Sequence, residues 1–287
     1  MSRSLIRRDS LSMIILAAPF MALLVIFAYG PILIAAWQGF GPAAGGLPTA
    51  PIGELLSRAD VMASIIRTTA FLFIKIALNV VIGLAFALAL WGETPLKRFA
   101  RSLVLLPTFI SIVVLGVVVI FLFDREVGLA NLVLSTMGFE RQNWLLQTNS
   151  AQAILFGFSI WRDQGIVMFI FLAGLSAVPP QVLEAAAIDG AGPVRSFFTI
   201  TLPLMIRSTG FAMIFSLYAG AQFIAPILQI TKGGPQASTS VIPYLIYQEA
   251  FEYFDYQSAS ALSLMFIVVV LVMAAAIGWL ARPKWSY

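Results

Sequence analysis

Long apolar runs alternate along this chain with shorter stretches where Gly, Pro and the charged residues collect. An α-helix rises 1.5 Å per residue, so about 20 apolar residues cross a ~30 Å hydrocarbon layer. On that measure spans are expected at about 11–37, 68–91, 102–123, 151–175, 206–230 and 259–280. The first run is too long for a signal-peptide core and no clean cleavage site follows it, so it reads as an uncleaved anchor. Pro19 and Pro31 are expected to kink that span or mark its ends, Pro107 lies near the start of the third span, and Pro226 interrupts the fifth.

The polar stretches differ in character. Residues 38–60 are rich in Gly and Pro and lead to an expected short surface helix near 52–66. Residues 92–101 read as a basic loop, and Asp124–Asn149 as a mixed-charge loop that is partly helical. Lys232–Ser240 is a turn, and the aromatic, acidic stretch Tyr244–Tyr256 reads as an interfacial helix.

One polar island, residues 178–203, is long and punctuated. Pro179 and Pro180 suit a first helical turn, where a missing N–H costs nothing. Gln181 to Asp189 are mostly good helix formers, and Gly190, Gly192 and Pro193 then supply a stop and a restart. Glu184 is expected early in that helix, facing the positive end of its dipole. Ala185, Ala186 and Ala187 leave a surface almost without side chains. Such a segment is either a solvated connector or a surface for close docking.

Composition agrees with a polytopic membrane protein: 60% of the residues are hydrophobic, 10% are charged and the mean hydropathy is +0.96. The pI near 9.6 and net charge of +4 do not mark a nucleic-acid binder, because the basic residues are scattered over loop ends and form no phosphate-tracking patch. They fit positive-inside topology instead. The N-terminal arm 1–10, the loop 92–101 and the tail 282–287 hold eight of seventeen basic residues against Asp9 and Glu93. The expected outer loops hold four, Arg58, Arg125, Arg141 and Lys232, against eight acids. Both termini and the island are therefore expected on the cytoplasmic side.

The chain has no cysteine and no histidine, which removes disulfides, thiolate nucleophiles, the usual haem and zinc ligands, and every Ser-His or Cys-His arrangement. None of the four lysines follows a glycine, so the phosphate-binding loop G-x-x-x-x-G-K-[ST] is absent. Uphill work would need an ion gradient or another chain. Polar residues inside the spans carry what chemistry remains. Lys75 and Asn79 lie one turn apart on a face continued by Gly83; this face points at protein or water, or Lys75 snorkels outward. Trp161, Arg162 and Asp163 sit near the middle of the fourth span. Arg162 and Asp163 are a structural pair or part of a solute path. Trp161 either stacks on a sugar ring or packs against lipid or core, and Gln222 is a further polar candidate.

The island resembles a known family. Glu184-Ala185-Ala186, then Gly190 after three residues, Ile200 after nine more, and Leu202-Pro203 reproduce the EAA loop of bacterial binding-protein-dependent ABC importer permeases. Trp161, the Ala-Gly-Leu-x-x-x-Pro of 173–179, Ile188-Asp-Gly-Ala191, Gly-Gly-Pro at 233–235 and Tyr247-x-x-Ala-Phe251 look like the carbohydrate-uptake branch, similar to maltose-type permeases. Glu184 to Pro193 also resembles the glycerol-3-phosphate importer permease. The resemblance implies an all-α membrane protein with six transmembrane helices, the type I ABC importer permease fold and cytoplasmic termini. It implies a multi-pass subunit of the bacterial cytoplasmic (inner) membrane, embedded in lipid, without catalytic residues, metal or cofactor of its own. Its partners would be a second, different permease chain, two subunits that bind ATP and Mg, and an extracytoplasmic solute-binding protein, with no nucleic acid. Glu184, Ala185, Ala186, Asp189 and Gly190 would then form a coupling helix in a cleft of the ATPase. A sugar or sugar-like solute is the expected cargo, with glycerol-3-phosphate or another anionic derivative as the alternative. An ion-coupled secondary transporter would instead need repeat-related intramembrane acids, and Asp163 stands alone.

Overall fold

The computed structural model describes residues 16–40 and 51–282. The arm 1–10, the first residues of the expected first span and the tail beyond residue 282 lie outside the described residues. All regular structure among the described residues is helical. Two compact units are distinguished: the described residues up to Val61 with Ile246–Met265, and Met62–Leu245 with the described residues from Phe266 onward.

In the first unit α1 runs over Leu16–Trp37 and buries no residue of its apolar window. A π-helical turn, Val25–Tyr29, precedes Pro31. It widens the backbone at the place where the proline ring would crowd the carbonyl of residue 27. The short α2, Pro51–Ser57, follows. Arg58 donates to both carboxylate oxygens of Asp60 and, at 2.7 Å, to Glu249, which is buried. The hydrogen bond to Asp60 does most to hold the Arg58 guanidinium above its ordinary pKa, burial opposes it and the bond to Glu249 adds to the rise.

The helix that carries the expected second span is α3, Ala59–Ala89. It starts nine residues before Thr68, so the surface helix expected near 52–66 is in fact α2 and the first turns of α3. Ser64 and Thr68 explain why the polar start stays helical: Ser64 donates to the Ser240 carbonyl and Thr68 accepts the Ile242 amide.

The third span is two helices, α4 (Pro95–Phe109) and α5 (Ile112–Leu122), bent by 99°. The basic loop expected over 92–101 is helical from Pro95, because Thr94 caps the Lys97 amide and Pro95 occupies the first helical position. Pro107 then leaves the Leu103 carbonyl without a helical donor, and the chain extends at Ile110. The loop after α5 is partly helical as expected, with α6 at Leu129–Thr136. Buried Asn131 organises it, accepting from the Gln142 amide and Trp144 Nε1 and reaching the Asp124 and Arg125 carbonyls.

Helix α7, Thr148–Ser176, is central to the second unit and buries Leu155, Phe158, Val167, Met168 and Phe171. It approaches α4 at Gly165, where an added Cβ would lie 2.5 Å from Leu105 Cα. The island folds as α8 (Pro180–Ile188) and α9 (Pro193–Leu204), the latter bent 68° from α10, Ile206–Ala221. The fifth span is therefore not one helix over 206–230: α10 ends at Gln222, and Pro226 opens a π-helical turn, Ile227–Thr231. Helix α11, Ile242–Tyr247, continues into a π turn to Glu252. Tyr244, Leu245 and Glu249 are buried whereas Phe251, Tyr253, Phe254 and Tyr256 are exposed, so only the second half of this stretch presents the aromatic surface expected of an interfacial segment. Asp255 caps the last helix, α12 (Tyr256–Leu280), through the amides of Gln257 and Ser258. Among the described residues, four helices are long and apolar enough to cross a membrane, or up to six if each bent pair counts as one span.

Candidate functional site

Two places in the second unit bring the sequence-predicted residues together. The first lies between α3, α7 and α10. The Lys75 ammonium donates to Asp163 Oδ2 at 2.6 Å, to Ser159 Oγ at 2.5 Å and to the Ser159 carbonyl at 3.0 Å, which uses all three of its donors. Lys75 is 0% exposed, so it does not snorkel. The other Asp163 oxygen accepts from Arg162 Nη1 at 3.2 Å. One turn along α3, Asn79 accepts from Gln164 Nε2 and donates to Ser216 Oγ, which donates on to the Ala212 carbonyl. Gly83, one more turn along, lets α7 pack closely: an added Cβ would lie 2.4 Å from Val167 Cγ1.

The sequence logic is now visible. Helices α3, α7 and α10 each contribute groups too polar to face lipid; Lys75, Asn79, Asp163, Gln164 and Ser216 find partners on a neighbouring helix, and Arg162 pairs within α7. Lys75, Asn79, Arg162 and Asp163 are legible from the sequence as intramembrane polar groups; Ser159, Gln164 and Ser216 join them only in the fold, although Ser159 stands one turn before Asp163 on the same face. Charges do not cancel, since Lys75 and Arg162 oppose one carboxylate. Arg162 Nε and Gln164 Oε1 are buried with no partner in the described chain. Trp161 is half exposed and its ring lies 6.3 Å from that of Phe158. Gln222 ends α10, is exposed, and makes no hydrogen bond to this cluster.

The second place is the island. Pro179 is extended and Pro180 opens α8. The helix closes as a Schellman turn: Ala191 N–H reaches the Ala186 carbonyl at 2.9 Å, Gly190 N–H reaches Ala187 at 3.1 Å, and Gly190 has φ +75°. Glu184 is the fifth helical residue, beyond the first turn where a dipole interaction acts, so the expected dipole role is corrected. It makes no ion pair or hydrogen bond among the described residues. Of the α8 residues named in the sequence, Ala186 is buried, while Glu184, Ala185, Asp189 and Gly190 are exposed. Ile188 is 87% exposed, and Val194 and Phe198 are also exposed. Val194 and Phe198 help line a cavity of about 550 Å³, together with Leu88, Trp91, Leu183 and Phe197.

Comparison with known proteins adds to this geometry. Residues 79–284 match the sequence profile of the family described as "Binding-protein-dependent transport system inner membrane component". The chain is similar to the sn-glycerol-3-phosphate transport system permease protein UgpA of Rhizobium meliloti (strain 1021), 29% identical over 91% of each chain. It is 30% identical to the UgpA of Yersinia pestis over 90% of this chain and 89% of the relative. The fold is similar to that of a chain in a bacterial ABC transporter involved in the import of the acidic polysaccharide alginate, with a TM-score of 0.83, 22% identity and 98% of each chain covered. A second structure, of an alginate ABC transporter in complex with an alginate pentasaccharide-bound periplasmic protein, superposes with a TM-score of 0.80 at 22% identity over 96% of each chain. At that identity the two structures speak for the fold alone.

Proposed function

The chain belongs to the binding-protein-dependent transport system inner membrane components, and on that premise we propose that it is the permease subunit of an ATP-driven importer for a sugar or sugar-like solute. The observation that carries this is α8: a helix with the EAA spacing, closed by Gly190, exposed except at Ala186, with Glu184 unpaired among the described residues. Glu184, Ala185, Ala186, Asp189 and Gly190 form the coupling surface for an ATP-binding subunit. The alanines allow a close approach, Glu184 meets a basic group of the partner, and Gly190 makes the turn.

In this reading α4–α5 and α9–α10 each count as one bent span, giving six, with the island and both termini in the cytoplasm of a bacterium. The permease domain extends over about 11–281, with the coupling loop at 178–203. A second permease chain, two ATP-binding subunits and an external solute-binding protein complete the assembly, which fits the periplasmic protein bound in the alginate importer. ATP and Mg are held by the partners. Closure of the ATP-binding subunits moves α8 and α9, and the bent spans transmit this as rigid-body motion that opens the path to each side in turn.

The solute path takes Trp161 and Arg162, the exposed edge of the polar cluster. Lys75 and Asn79 are its buried supports, Asp163 fixes Arg162, and Gln222 lies at the outer end. The chain itself supplies no bond chemistry. A second reading, an anionic sugar derivative as cargo, is favoured by the excess cation at Arg162 and by the glycerol-3-phosphate relatives. Copurification with an ATP-binding chain and vanadate-sensitive uptake test the proposal; uptake that ignores ATP and collapses with an ionophore would overturn it.

A further inference from the structure

On α7, Arg162, Ile166, Phe169, Ile170 and Ala173 recur at helical spacing and share one stripe. Arg162 is the midpoint of Thr148–Ser176, and the stripe below it descends 11 residues, about 16 Å, roughly half a hydrocarbon layer. This lower stripe is the floor of a cavity of about 550 Å³, with Leu105 of α4 on one wall and Arg207, Ser208 and Phe211 of α10 on the other. Phe169 and Phe211 expose their rings into solvent-accessible space, and aromatic faces suit the C–H faces of a sugar.

Arg207 is the charged group of this groove. It is exposed and makes no ion pair or side-chain hydrogen bond among the described residues. It is the second residue of α10, at the positive end of that helix's dipole, where a cation is disfavoured until an anion arrives. Resting on the permease reading, we infer that this groove is the inner half of the solute's route, and that Arg207 is an exit station for the negative group of an anionic sugar derivative. The route then has two cationic posts on facing helices, Arg162 on α7 at mid-span and Arg207 on α10 at the cytoplasmic end, joined by an apolar, aromatic slide. The two posts differ in design. Arg162 is held by Asp163, whereas Arg207 has no acid to leave.

The absence of cysteine from this chain makes the test direct. Ala173 is exposed on the groove floor, and Ala173→Cys gives this chain a single thiol. The assembled importer in inside-out vesicles is treated with membrane-impermeant methanethiosulfonates, one carrying a sulfonate and one a trimethylammonium group, and labelling is read on this chain. Both reagents are expected to react. The ratio of anionic to cationic rates should fall roughly tenfold in Ala173→Cys/Arg207→Gln and recover in Ala173→Cys/Arg207→Lys, as a nearby unit charge acting with opposite sign on the two reagents requires. No labelling by either reagent would mean that lipid or the second permease covers the groove, and would overturn the inference. A ratio unmoved by Arg207→Gln would make Arg207 a topological anchor only, with the same result. ATPase stimulation by a loaded binding protein is read on the same vesicles; its loss in the parent importer strikes the permease reading, while its presence with an unmoved ratio strikes the route alone.

Discussion

The polar cluster around Lys75 and the exposed helix α8 solve opposite problems. In the cluster, groups that cannot face lipid are paired inside one chain, and Lys75 spends every donor on α7. In α8, apolar and charged side chains are left bare, and the described residues provide neither a partner for Glu184 nor cover for Ile188. A region satisfied within its own chain is built for integrity. In the proposed reading, a region left unsatisfied, yet held by a well-formed Schellman turn, is completed by another chain. The comparison therefore makes a separable forecast: substitutions in the cluster cost stability, and function falls with it, whereas substitutions in α8 cost transport with the fold intact.

The largest effect should come from halving the buried ion pair. Asp163→Leu strands a fully buried ammonium, and removing one member of such a pair costs about 3–5 kcal/mol. We expect the chain to be lost from the folded, detergent-stable fraction in thermal denaturation. Lys75→Met combined with Asp163→Leu should recover much of that loss, since neither charge of the pair is then buried, less what the half-buried Arg162 loses with its Asp163 partner. A double variant no more stable than the single one would show that the pair is not the unit that holds α3 to α7.

Packing beside the pair comes next. Gly83→Val places a Cβ 2.4 Å from Val167 Cγ1, and overpacking of this kind costs about 1–3 kcal/mol. Val167→Ala on the same background should return part of it, measured as a shift of the unfolding midpoint. Equal midpoints for Gly83→Val and the parent would mean that the two helices part easily, against the close packing described.

How legible were these two regions in the sequence? Segments and cargo-neutral machinery were readable because they are local. Apolar runs gave the helices, and α8 with its stop and restart followed from Pro180, Gly190 and Pro193, whose backbone preferences act within a few residues. Breaks inside spans were less so. Pro107 and Pro226 marked the right neighbourhoods, but whether a proline kinks a span or divides it depends on the neighbours. Thr94 and Pro95 did announce an earlier start for α4, a signal overlooked in favour of the charge of Lys97, Arg98 and Arg101. The pairing of Lys75 with Asp163 is 88 residues apart in the chain, and no local pattern encodes which helix face meets which. Ser159, Gln164 and Ser216 were invisible for the same reason, as was the burial of Tyr244 in a stretch whose aromatic composition suggested a membrane surface.

On the α8 side the effects on stability shrink. Gly190→Val forces a β-branched residue into a left-handed conformation, φ +75°, at about 1–2 kcal/mol. Because the strain is confined to an exposed turn, the chain should still insert and fold while stimulation of the ATP-binding subunits by the loaded binding protein disappears. Gly190→Asn, which tolerates this conformation better, should keep a measurable part of that stimulation.

Glu184→Lys should be the mildest change to the fold and among the most damaging to uptake. Glu184 is exposed and has no ion pair or hydrogen bond among the described residues, so reversing its charge should move stability by no more than about 0.5 kcal/mol. If the ATP-binding subunit presents a basic group to α8, the reversal instead sets like charges together at a docking surface, which costs several kcal/mol and is felt as lost association. The measurement is paired: the unfolding midpoint of the chain, and the amount of ATP-binding subunit retained on it during purification. An unchanged midpoint with lost retention is the expected outcome. A lowered midpoint would move α8 into the same class as the cluster, as a part that holds the chain together. Normal retention with normal uptake would leave the exposed helix as a plain connector, and the contrast between the two regions would then be one of burial alone.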